Sequence, residues 1–340
     1  MHTIQKSNLC RALDLFSSNA TLYVPVENGH FSSFVPYQSG VEVFLNKKTT
    51  LGPKSILLPK TEKLYHYKNR GKDSEILSDA MNTEATIIFG VRSCDMQAIE
   101  CLDNVFLTQS GQAGVSDHYY QAKRANTTII ALSCSQPEAD CFCQSMGVDH
   151  REHEKADLQL FDLGDSLGIK AHTSKGAELI QLLDNSGLLA HQEVQKLPLA
   201  DFCLAADTDG LTHKLQKMFE HPLWDDLGKK CLNCGACTYV CPTCHCFDIS
   251  VCHQDACQGT TIRHWDSCMF TEYSQMAAGH NPRPGKKERV RQRFLHKLRY
   301  FPERYGKFLC TGCGRCLVTC PVNLEITQVI QQVKEAEVNG

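Results

Sequence analysis

Two cysteine runs carry the clearest chemistry in this chain. The first reads Cys231-x2-Cys234-x2-Cys237-x3-Cys241-Pro242 and the second Cys310-x2-Cys313-x2-Cys316-x3-Cys320-Pro321. A cubane iron–sulfur cluster needs four thiolates converging on one small cube, and three cysteines at this spacing wrap one corner of it. The fourth cysteine of each run points away and, in two-cluster ferredoxins, ligates the other cluster. The proline after it stops the chain from continuing as a regular helix. The spacing therefore predicts two [4Fe-4S] clusters. One is held by Cys231, Cys234, Cys237 and Cys320, the other by Cys310, Cys313, Cys316 and Cys241. Structural zinc is the competing use of such thiols, but zinc ribbons usually lack the third cysteine of each triplet and the closing Cys-Pro.

The rest of the composition fits a reduced, metal-loaded protein. The chain has 340 residues, enough for two domains, and 20 cysteines. Met1-His2-Thr3-Ile4-Gln5-Lys6 leads into no apolar signal region, and no run of about 18 apolar residues could span a membrane. The expected location is cytoplasmic, with the thiols committed to metal rather than to disulfides. A net charge of -3 gives no global reason to expect nucleic acid or anionic lipid as a partner.

The elements that must position further chemistry lie upstream. Ala85–Val91 is a buried-strand pattern that runs into Arg92-Ser93-Cys94-Asp95 and a helical pattern from Met96 to Phe106. Thr127–Leu132 repeats the strand signal and ends at Ser133-Cys134. Strand, helix, strand suggests a parallel α/β unit, whose ligands gather beyond the carboxyl ends of the strands. Cys94, Cys134, Cys141 and Cys143 could converge on that rim as a third metal site. Their spacing matches no standard ferredoxin run, and free cysteines are often simply small buried hydrophobes. Cys10, Cys101 and Cys203 are assigned that packing role. His153, His172, His191 and His213 form no ligand-spaced set.

Between the two runs, the spacer reads as helical. Asp266–Ala278 begins at an N-cap residue and ends at Gly279, and Lys286–Tyr300 places Val290, Phe294, Leu295 and Leu298 on one face. The expected architecture is an α/β domain over residues 1–222 followed by an all-α, two-cluster ferredoxin domain over 223–340. Ten basic residues lie between Arg283 and Lys307 against only Glu288 and Glu303. A docking face for an acidic partner, or compensation for anionic clusters, suits them better than nucleic acid, for which a recognised module is missing. Cys244, His245, Cys246, Cys252, Cys257 and Cys268 could tune or replace a cluster ligand. No G-x-G-x-x-G follows a strand and no Ser/His/Asp elbow is visible, so no flavin or nicotinamide site is expected in this chain. Clusters without substrate machinery make an electron conduit.

Several segments together carry a family resemblance. They are Gly90-Val91-Arg92-Ser93-Cys94-Asp95, Cys141-Phe142-Cys143-Gln144-Ser145-Met146-Gly147, the run from Cys231 through Cys241-Pro242-Thr243-Cys244-His245-Cys246-Phe247, Trp265-Asp266-Ser267-Cys268 and Gly279-His280-Asn281-Pro282-Arg283. In this order, over roughly residues 85 to 325, they resemble the family formed by sulfhydrogenase β subunits and the iron–sulfur subunits of anaerobic sulfite reductases. The resemblance implies an electron-transfer subunit beside a ferredoxin-reductase-like partner that carries FAD and a nicotinamide site. A terminal sirohaem or nickel–iron subunit would complete the complex. It also implies a third cluster, with Cys94, Cys134, Cys141 and Cys143 as its ligands. Two alternatives stand beside this reading: a chain that reduces a sulfur compound by itself at Cys244–Cys246, and a zinc-stabilised basic binding module.

Overall fold

A computed structural model describes residues 1–78, 84–107, 115–192 and 200–338 of the protein. Twelve strands form two sheets among the described residues. They are β1 (His2–Gln5), β2 (Thr21–Asn28), β3 (Phe31–Pro36), β4 (Thr61–Arg70), β5 (Asp73–Leu77), β6 (Thr86–Arg92), β7 (Thr127–Leu132), β8 (Leu158–Asp162), β9 (Ser166–Ala171), β10 (Ala190–His191), β11 (Phe247–His253) and β12 (Gln258–Trp265). The larger sheet has the order β10-β1-β9-β8-β7-β6-β2-β3. Its centre, β2-β6-β7-β8, is parallel, and both flanks are antiparallel.

The central strands are nearly continuous runs of β-branched residues, as burial on both faces requires. Ile87, Phe89, Ile130 and Leu132 pack on one side with Leu13 and Phe16 of the helix Leu9–Ser17. Ile88, Val91, Ile129 and Ala131 pack on the other with Met96, Ile99 and Leu102 of the helix Ser93–Phe106. β6 leads directly into that helix, so Cys94 sits in its first turn, while Cys134 lies just past the end of β7. Register pairs such as Ile88 with Ile129 put these two ends on the same sheet edge.

The expectation of an all-helical carboxy-terminal part is corrected. Residues 247–265 form an antiparallel hairpin, β11–β12, and β12 pairs with β4 from the first hundred residues, giving the sheet β11-β12-β4-β5. Phe247, Ile249 and Val251 alternate with polar residues, the period of a half-exposed strand. Its outer neighbour β4 is so distant along the chain that no local pattern announces the pairing. Asp266–Ala278 is likewise not one α-helix but a string of turns that includes two single 3-10 turns, Glu272–Ser274 and Ala277–Gly279. Asp266 N–H donates to Cys246 O at 3.0 Å, and the Ser267 hydroxyl accepts from Met269 N–H and from Thr238 Oγ1. Tertiary partners thus take the backbone and side-chain groups that a helix N-terminus would use, and Ala278 adopts a left-handed φ of 64°.

The second predicted helix forms, as Lys286–Leu295 extended by a π-turn through Tyr300. It buries Val290, Phe294, Leu295 and Leu298 in a core shared with Trp224, Leu227, Met269, Ile330 and the cysteine runs. The helix Leu223–Lys230 crosses it at Gly228, where an added Cβ would stand 2.9 Å from the Lys287 nitrogen. Only glycine allows the two helices to approach this closely.

Candidate metal centres

The two cysteine runs wind alike. Asn233 and Gly312 both take positive φ (57° and 64°), as do Gly235 and Gly314 (73° each), and each run then enters a short helix, Ala236–Tyr239 or Arg315–Thr319. Two left-handed residues in five curl the backbone so that the first three thiols face inward. The fourth thiol of each run is carried past that helix to the other run.

The outcome is a cavity lined by Cys231, Cys234, Cys237 and Cys320, closed by Met269, Val290, Phe294 and Leu324. A second cavity is lined by Cys241, Cys310, Cys313 and Cys316, with Phe142 and Ile326. A third is lined by Cys94, Cys134, Cys141 and Cys143, with His150 and Phe202. The twelve cysteines expected as cluster ligands therefore line three cavities, four to each. Among the described residues, no three His, Cys, Asp or Glu side chains are close enough to hold a single metal ion. Four thiols around an open space suit a polynuclear cluster.

The three cavities are contiguous. Arg293 lines the first and the second, and Cys313 lines the second and the third. The second run lies directly against the third cavity. Phe142 N–H donates to Gly312 O at 2.8 Å, and a Cβ on Gly312 would meet Cys143 Cα at 2.5 Å.

Cations are placed at the sulfurs. Lys297 Nζ is 3.2 Å from Cys241 Sγ and 3.0 Å from Thr243 Oγ1. Arg293 Nη1 is 3.8 Å from Cys244 Sγ, and its Nη2 reaches the Cys237 carbonyl at 3.4 Å. Lys54 donates to the carbonyls of Cys241 and Cys244 at 3.0 and 2.9 Å and lies over the Trp265 ring. At the third cavity, Lys48 Nζ is 3.5 Å from Cys141 Sγ, and Arg92 Nη1 is 3.9 Å from Cys134 Sγ. Burial pushes the thiols of Cys143 and Cys310 up to about 12. Cys241 goes the other way: a hydrogen bond from Cys244 outweighs its burial, and Lys297 and Arg293 lower it further.

This placement separates the basic cluster into parts. Arg289, Arg291, Arg293 and Lys297 are all buried, so they are not a solvated docking face. Arg293 and Lys297 point at thiols, whereas Arg289 binds the Arg283 and Pro284 carbonyls and Arg291 the Phe219 carbonyl. A single sequence offers no marker for which of ten basic residues turns inward. Lys48 and Lys54 lie far upstream of both cysteine runs, and the structure brings both to the cavities.

The remaining cysteines divide. Cys101 is buried, as its packing role requires, but Cys10 and Cys203 are exposed, which corrects that assignment for those two. Cys252 and Cys257 are exposed at the β11–β12 end, away from the cavities, while Cys244, Cys246 and Cys268 lie half-buried beside Cys241 and Arg293. An open cavity of about 690 Å³ lies beyond the carboxyl ends of β6, β7 and β8, lined by Leu132, Ser133, Asp162, Lys6 and Arg92. It contains no cysteine, and Arg92 stands between it and the third cavity. No described helix is long and apolar enough to cross a membrane.

Comparison with known proteins supplies two findings. Residues 230–324 match the 4Fe-4S dicluster domain family. The chain is 30% identical over 322 residues to sulfhydrogenase 2 subunit beta of Pyrococcus furiosus, an alignment that spans 92% of each protein.

Proposed function

The chain belongs to the sulfhydrogenase β-subunit family, and from that membership we propose that it is the electron relay of an oxidoreductase complex, built on three iron–sulfur sites. That it is an iron–sulfur electron-transfer subunit follows from the family and from its 4Fe-4S dicluster domain. The observation that carries the finer reading is the grouping of twelve thiols around three adjoining cavities. Cys231, Cys234, Cys237 and Cys320 would hold one cluster, Cys241, Cys310, Cys313 and Cys316 the second, and Cys94, Cys134, Cys141 and Cys143 the third. Bound there, each cluster supplies reversible one-electron chemistry.

The protein's own groups set the conditions for that chemistry. Arg293, Lys297, Lys48 and Arg92 offset the negative charge of thiolate-bound iron, and the apolar walls exclude water from it. Cys313 and Arg293 stand between neighbouring sites and make the sequence of three a continuous path. In this reading the two ends of the path face different subunits. One is a FAD- and nicotinamide-binding subunit, and the other carries a terminal nickel–iron or sirohaem centre.

A redox titration of the anaerobic full chain followed by EPR tests the relay. Three one-electron signals are expected, each broadened by its neighbour when all are reduced. Sharp, mutually independent signals would refute a contiguous path.

A further inference from the structure

Three polar side chains other than the thiols are buried in the cavity walls with no protein partner. Ser93 and His150 line the third cavity, and Thr311 lines the second. The three residues are 0%, 8% and 2% exposed, and Ser93 Oγ, His150 Nε2 and Thr311 Oγ1 make no hydrogen bond among the described residues. Buried polar groups in folded proteins are nearly always paired, because an unmade bond costs the full desolvation of the group. Neighbouring hydroxyls follow that rule. Thr238 and Thr243, equally buried beside the first cysteine run, donate to Gly235 O at 2.7 Å and Leu309 O at 2.6 Å. The three orphaned groups are also held firmly beside thiols. Ser93 precedes Cys94 at the start of its helix, and Thr311 follows Cys310. The His150 carbonyl accepts from Cys134 N–H at 2.8 Å, and the His150 ring meets Phe202 of the same wall edge-on, with centroids 5.0 Å apart.

We propose that Ser93 and His150, the latter as its Nε2–H tautomer, donate hydrogen bonds to the sulfurs of the third site, and that Thr311 donates to those of the second. A hydroxyl and an imidazole N–H are donors, and the sulfurs of a thiolate-bound cluster are acceptors whose hydrogen bonds help to set its potential. Such donors favour the more negative, reduced state, so they raise the reduction potentials of the two sites. The first cavity is the internal control. Its wall of Met269, Val290, Phe294 and Leu324 carries no orphaned side-chain donor among the described residues. The inference rests on the cluster assignment made above and adds to it which side chains tune which site.

The test is an EPR-monitored redox titration of the anaerobic full chain, with iron analysis of each variant. Ser93→Ala and Thr311→Val remove a hydroxyl with little change of shape, and His150→Phe removes the ring N–H. Ser93→Ala and His150→Phe should each lower the potential of the third site, and Thr311→Val that of the second. The expected shift is about fivefold in the one-electron equilibrium, or about 40 mV at 59 mV per tenfold. Iron should stay at about twelve per chain, with the potential of the first site unmoved. His150→Gln keeps a side-chain N–H and should recover part of the shift. Unchanged potentials at full iron content overturn the proposal and leave the cluster assignment standing, since buried water would then be the partner. An equal shift at the first site overturns it too, as the mark of a general structural change. So does a loss of about four irons in both His150 variants, because the imidazole would then be a ligand. About eight irons in the parent would refute the third site itself, and with it the roles of Ser93 and His150, while Thr311 is still read at the second.

Discussion

The guanidinium of Arg315 and the carboxylate of Asp95 form a bidentate pair, at 2.6 and 2.8 Å, with side chains only 2% and 1% exposed. Arg315 belongs to the second cysteine run and Asp95 follows Cys94, so the pair fastens the second cavity to the third. Arg315 Nε also donates to Thr49 O at 2.7 Å. Removing one partner leaves an uncompensated buried charge, a loss of about 3–5 kcal/mol. Asp95→Ala should therefore lower the melting temperature steeply. Arg315→Lys should lower it as well, because lysine cannot make the bidentate contact. Thermal unfolding of the two variants checks this.

Gly312 predicts a more local failure. Its φ of 64° and the 2.5 Å approach of Cys143 leave no room for a side chain. Gly312→Ala must push the Cys141–Cys143 segment away from the second run. Iron analysis should show loss from the third site, with the Cys231 site retained.

Crossed ligation gives a prediction that neither run makes alone. Cys320 belongs to the second run but lines the first cavity. Cys320→Ala should therefore abolish the signal of the Cys231, Cys234 and Cys237 site and spare that of its own run. EPR of the reduced variant decides between the two.

Lys297 should tune a potential. Its ammonium lies 3.2 Å from Cys241 Sγ and is buried at 3% exposure. A hydrogen bond from a charged group contributes roughly 1.5–3 kcal/mol, which favours the more negative, reduced state of the site. Lys297→Met should lower that site's reduction potential by up to about 65–130 mV, taking 59 mV per tenfold change for one electron. Redox titration measures the shift directly.

One pH dependence is worked out from Glu100. Burial would raise its carboxyl, but hydrogen bonds from Lys155 and Lys307, both at 2.5 Å, hold it below the usual carboxylate range. A depressed folded pKa contributes stability above the unfolded value of about 4.3, lost as pH falls through the folded one. Glu100→Gln should melt below the parent at pH 7, and the gap should narrow as the pH falls towards about 3. Melting curves at the two pH values check the sign.

What was legible in the sequence follows physical range. The eight thiols of the two runs could be named from spacing, because ligand geometry is local to a turn of chain. The rim cysteines needed topology, and β6 and β7 declared it through their uninterrupted apolar runs. The β11–β12 hairpin carried an alternating pattern, but its partner β4 lies far upstream, and a helical spacer was the simpler local reading. The inward turn of Arg293 and Lys297, the reach of Lys54 and the Arg315–Asp95 pair depend on tertiary placement. No single-sequence pattern reports them.

The most direct measurement is iron and acid-labile sulfide on the anaerobic full chain, read beside zinc. Three cubane sites predict about twelve irons and twelve sulfides per chain. About eight would remove Cys94, Cys134, Cys141 and Cys143 from the relay, and zinc without sulfide would contradict the iron–sulfur assignment as a whole.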